Sequence, residues 1–168
     1  MKDVYDDDKA FTEATEAYEK SNFKAAFELF SYAAKYGADW ADNYLGIMYG
    51  EGEYVQKDQN KSLYWHKRAG QKRNVSSKNY YSNIALQYER MGNRRRAFYW
   101  WSKAIEADIK EAGLELAKRL LQNNRKDSRQ RAIELLQFAA NAEAQMEISE
   151  NDKEEAQALL NDLQKAAP

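Results

Sequence analysis

Apolar and small residues recur along this chain at helical spacing, and the pattern they make then recurs at a longer period. Ala26, Phe30 and Ala33 fall on one face of a single helix, because positions three, four and seven apart share a side. The same small, bulky, small triplet returns as Ser62, His66 and Ala69, as Ala97, Trp101 and Ala104, and as Ala132, Leu136 and Ala139, with the first members 36, 35 and 35 residues apart. Small residues flanking one large side chain let two helices approach closely while the large group fills the space between them. Self-similarity at such a period marks a repeat architecture in which each unit is one supersecondary element. Each triplet is therefore read as the second helix of a pair.

A first helix precedes each triplet, marked by Ala14, Gly46, Ala85 and Ala117, with Tyr49, Tyr88 and Leu120 three residues further on in the last three. The start signals agree. Asn22, Asp58, Asn93 and Asp127 stand where a side-chain oxygen can accept from the free amides of a helix N-terminus, and Asp127 with Gln130 has the spacing of a capping box. After the fourth pair, Ala156, Leu159, Leu160 and Leu163 form one apolar stripe on an otherwise polar segment, as a terminal capping helix needs. The expected fold is all-α: a right-handed alpha-alpha solenoid of about four helix pairs plus a C-terminal capping helix, forming one domain over residues 1–168. The pairs are placed at about 8–36, 38–71, 77–107 and 109–142 and the cap at about 151–166.

The second unit, LGIMYGEGEYVQKDQNKSLYWHKRAG, resembles a Sel1-like repeat at Leu45, Gly46, Tyr49, Gly52, Val55, Asp58, Lys61, Trp65, Arg68 and Ala69. It departs at Tyr54, where a second loop glycine is usual, and at Ser62, His66 and Gly70. Loss of the glycine at Tyr54 is expected to alter that turn, since a residue tolerating positive φ has gone. The third unit is similar to a tetratricopeptide repeat at Tyr81, Ile84, Ala85, Tyr88, Gly92, Ala97, Trp101 and Ala104, and shares a Trp of the Sel1-like pattern at Trp100. The resemblance implies a scaffold or adaptor of the solenoid class that binds protein partners.

In such arrays the first helices line a concave groove, so the candidate partner-binding residues are first-helix positions off the packing stripe: Trp40, Asn43, Tyr44, Ile47, Asn79, Asn83, Leu86 and Arg90. Aromatic residues dominate interface hot spots, and amide side chains can hold a partner's backbone. Trp40 also suits packing under a neighbouring helix, and the residue pattern leaves both roles open. Trp65, Trp100, Trp101 and His66 occupy packing positions of the repeat and are read as structural. The two-carboxylate clamp of chaperone-binding tetratricopeptide domains is not supported, because the first two units offer no lysine at the corresponding groove positions.

Charge changes the picture most. Net charge is −7 over residues 1–60, +10 over 61–103, where Glu89 is the one acid, and −4 over 104–168. Lys67, Arg68, Lys72, Arg73, Arg94, Arg95 and Arg96 make up a candidate basic patch, supplemented in that stretch by Lys61, Lys78, Arg90 and Lys103. Such a band steers an acidic partner, while single members can equally be solvated and balanced by neighbouring acids. Nucleic-acid binding is disfavoured by the acidic flanks and a pI of about 6.0.

The remaining chemistry is narrow. The chain has no cysteine and one histidine, so thiolate sites and any catalytic or metal arrangement needing paired His or Cys ligands are excluded. No cofactor motif is present: Gly50 to Gly52 follows a helix and does not join a strand to a helix. The chain is therefore read as non-enzymatic and without cofactors. MKDVYDDDKAF has no apolar stretch of the kind a secretory signal needs, and no run of about 18 apolar residues occurs, which points to a cytoplasmic location without membrane insertion. The leading expectation is a protein interaction module with a concave groove. The alternative, inferred from size and charge, is an immunity protein or antitoxin that neutralises a cognate toxin.

Overall fold

A computed structural model describes residues 6–71, 80–122, 126–143 and 148–165. The described residues form nine helices and no strand. In chain order they are α1 (Asp7–Glu19), α2 (Phe23–Lys35), α3 (Asp39–Glu51), α4 (Gln59–Gly70), α5 (Tyr80–Arg90), α6 (Arg94–Glu106), α7 (Lys110–Leu121), α8 (Lys126–Ala140) and α9 (Glu150–Lys165), with α1 packed on α2, α3 on α4 and α7 on α8. The chain divides into two compact units, Met1–Ala97 and Phe98–Pro168, with the boundary inside α6.

The helices begin where side chains can satisfy free amides. Asp6 accepts from the Lys9 amide, Asn22 from that of Ala25, Asp58 from those of Asn60 and Lys61, and Asn93 from that of Arg96. Asp127 does not do this. Because α8 already starts at Lys126, Asp127 lies inside its first turn, where a negative charge favours the helix dipole without capping it.

The repeating triplets form the core. Ala26, Ser62, Ala97, Ala132, Phe30, His66, Trp101, Leu136, Ala33, Ala69, Ala104 and Ala139 are all buried, as are Ala14, Gly46, Ala85 and Ala117 on the first helices. In the first unit, Phe30 stacks on Tyr44 of α3, with centroids 4.4 Å apart and planes 7° apart, and stands edge-on to Tyr18 of α1. Full burial of such a ring contributes about 2–3 kcal/mol. His66 fits because position 46 is glycine: a Cβ there would lie 2.5 Å from the imidazole. Gly70 likewise admits the Tyr80 ring of the following helix, which would stand 2.3 Å from an added Cβ. Ser62 replaces an alanine at no cost in unsatisfied polarity, since its hydroxyl donates to the Gly46 carbonyl at 2.6 Å.

The turn after α3 survives the loss of its second glycine. Tyr54 itself adopts φ of 62°, the left-handed conformation that a glycine would take, and its ring lies 5.6 Å from that of Phe27. Packing holds a backbone state that is unfavourable for a residue with a Cβ.

In the second unit, Trp101 is buried, and the Arg119 guanidinium of α7 lies 4.7 Å from its ring centre. Helix α9 buries Ala156 and Leu160 and is held by three polar ties: Lys118 to Glu155, Arg129 to the Leu163 carbonyl, and Lys153 to the Ala142 carbonyl.

Candidate functional site

The candidate groove lies in the first unit, on α3 and α5. Five of its residues are held by their neighbours. Trp40 stands edge-on to Phe11 and Phe30, and its indole Nε1 donates to Asp7 at 3.0 Å, so its ring belongs to the packing between α1, α2 and α3. Tyr44 covers Phe30 and meets Tyr18 edge-on. Its hydroxyl is raised above the usual tyrosine range by burial and by the charge of Glu19.

Asn43 is the centre of a polar seam. Its Oδ1 accepts from Asn83 Nδ2 of α5 at 2.8 Å and from His66 Nδ1 of α4 at 3.0 Å, which places the imidazole proton on Nδ1. Burial, aided by the positive charge of Arg90, pushes the His66 pKa down to about 3, so the ring is neutral throughout the physiological range. Arg90 is ion-paired with Glu51, a second bridge between α3 and α5. Ile47 and Leu86 are half-buried on these same two helices. Asn79 lies outside the described residues.

The basic patch is divided by the structure. Arg68 does not project outward as a patch residue would. Its Nε lies 3.3 Å from the fully buried Asp42 carboxylate, its Nη2 donates to the Ala34 carbonyl at 2.6 Å, and its guanidinium lies over Trp65. A buried carboxylate requires such a partner, which draws the guanidinium inward. Lys67 and Arg96 both flank the Tyr88 ring, 5.5 Å each from its centre, and Lys67 also donates to the Tyr88 hydroxyl at 3.0 Å. Arg94 and Arg95 are exposed at the start of α6. Lys72 and Arg73 lie outside the described residues.

Lys61 lies 5.1 Å from the centre of the Tyr49 ring. Lys61 and Arg96 are 35 residues apart, each immediately before the small residue of its triplet, and Tyr49 and Tyr88 are matching first-helix positions. That registry was the signal available in the sequence, although it says nothing of which ring each cation meets. Among the described residues no group of three or more His, Cys, Asp or Glu side chains could hold a metal ion, and no helix is long and apolar enough to cross a membrane.

The Sel1 repeat family profile matches residues 17–37, 41–74, 86–109 and 125–143, together more than half of the chain. The chain belongs to the Sel1 repeat family. Each matched segment holds one of the four buried triplets, so the family frame and the packing period coincide. Sel1 repeat proteins are generally protein-interaction scaffolds without enzymatic activity of their own. A Sel1 repeat protein from Oxalobacter formigenes, known from a crystal structure, superposes with a TM-score of 0.63 at 23% identity, over 77% of this chain and 54% of the other. The likeness is one of fold, and the chain spans about half the length of that protein. No curated protein sequence matches the chain.

Proposed function

We propose that this Sel1 repeat chain is a scaffold that receives a segment of a partner protein against the α3 and α5 face of its first unit. The reading is carried by the Asn83–Asn43 hydrogen bond. It joins neighbouring first helices through their side chains and, with the Glu51–Arg90 pair, fixes the face on which Ile47 and Leu86 remain half-exposed. A surface whose polar groups are already ordered loses little conformational freedom on binding. Trp40 and Tyr44 support this face from beneath by packing on Phe30, and the contact residues proper are Ile47, Asn83, Leu86 and Arg90.

The test is a comparison of partner recovery from the native organism by wild type and by an Ile47→Lys/Leu86→Lys variant, with mass spectrometry as readout. The proposal expects the principal partner to be lost while helical content and melting temperature stay near wild type. Undiminished recovery with the variant refutes the groove as the binding face.

A further inference from the structure

We infer that Lys61, Lys67 and Arg96, extended by Arg94 and Arg95, form a second docking surface, distinct from the groove, for a carboxylate-rich segment of a protein partner. This rests on the protein-scaffold role of the chain but not on the groove assigned above.

Three observations support it. First, these five cations form no ion pair with any carboxylate among the described residues, whereas other surface cations of the helices do: Lys9 with Glu13, Lys20 with Glu16, Arg90 with Glu51, and Arg131 with Glu134. Second, three of the five are held in place by aromatic rings. Lys61 lies over Tyr49, and Lys67 and Arg96 both lie against Tyr88, which is itself buried. A ring face attracts a cation and limits its motion without cancelling its charge, so the positive field stays available to an incoming anion. Third, the arrangement is periodic. Lys61 over Tyr49 and Arg96 over Tyr88 occupy matching places in successive repeats, so an extended segment meets the same cation–ring element twice.

Carboxylate is the ligand chemistry that fits best. Residues 1–60, in the same unit, carry a net charge of −7 and would oppose a long polyphosphate strand, while a short acidic segment can engage the five cations alone. Binding of this kind is fast and salt-sensitive, because exposed charges act chiefly through long-range attraction.

The test uses the full chain and a fluorescein-labelled oligoglutamate peptide, followed by fluorescence anisotropy at low and at physiological salt. Wild type binds, binding weakens as salt rises, and Lys61→Gln/Lys67→Gln/Arg96→Gln weakens it by about tenfold or more. The charge-keeping variant Lys61→Arg/Lys67→Arg/Arg96→Lys retains binding, which separates charge from folding; circular dichroism checks both. Leu86→Ala, directed at the groove, leaves oligoglutamate binding unchanged, so failure here and failure of the groove assignment are read separately. The inference is overturned by absence of binding at low salt or by equal binding of the triple Gln variant. It is also overturned if an oligothymidylate of equal charge binds more tightly through the same residues. Self-association of wild type in sedimentation, abolished by the triple Gln variant, overturns it in favour of a second copy of the chain.

Discussion

The Arg68 guanidinium reaches back from α4 to the Asp42 carboxylate of α3, 3.3 Å away and without solvent exposure, and to the Ala34 carbonyl near the end of α2. One side chain therefore fastens two successive repeats and neutralises a charge that burial would otherwise make costly.

Removing the cation takes away the guanidinium that neutralises the buried Asp42 carboxylate. Arg68→Ala should destabilise by about 3–5 kcal/mol, and Arg68→Lys should recover only part, because an ammonium cannot match the planar contacts to Asp42, Ala34 and Trp65 at once. Asp42→Asn combined with Arg68→Gln should be milder than Arg68→Ala, since no bare charge remains. Urea unfolding of the three variants measures the order.

His66 makes stability depend on pH. Its folded pKa of about 3 lies below the unfolded value of about 6.5, so the unfolded chain binds the extra proton. The stability that neutral His66 contributes is complete above about pH 6.5 and is lost as pH falls towards 3. Between pH 7 and pH 5 wild type should lose about 2 kcal/mol that a His66→Leu variant does not lose. Denaturant midpoints at the two pH values decide; parallel behaviour of both proteins would remove His66 as the cause.

Gly46 and His66 should be energetically coupled. Gly46→Ala puts a methyl group into the imidazole and should cost about 1–3 kcal/mol, whereas in a His66→Ala background the methyl has room and the cost should largely disappear. A double-mutant cycle in thermal or urea unfolding reads the difference. Additive effects would show that the backbone moves apart to admit the methyl.

Tyr44 and Leu86 separate support from contact. Tyr44→Ala removes a ring stacked on Phe30 and should lower stability by about 3 kcal/mol. Leu86→Lys on the half-buried face should change stability by much less while abolishing partner recovery. Melting temperatures alongside partner capture check both halves of the expectation.

Much of the architecture is legible in residue size and spacing. The triplets repeat because a second helix can pack closely on its neighbours only through small residues, so Ala26, Ser62, Ala97 and Ala132 record the buried stripe locally. Asn22, Asp58 and Asn93 record helix starts for the same reason: a cap bonds an amide two or three residues away. The terminal stripe of Ala156 and Leu160 is equally local.

The partners of the polar side chains were settled only by stacking. Arg68 reads as one more basic residue beside Lys67, yet Asp42, 26 positions earlier, turns it inward while Lys67 faces Tyr88. Asn43, His66 and Asn83 come from three helices and meet at a single oxygen. Spacing along one helix orients a side chain on that helix alone. Which charge is buried, which amide is engaged and which cation stays available depend on the helices that the fold brings beside it.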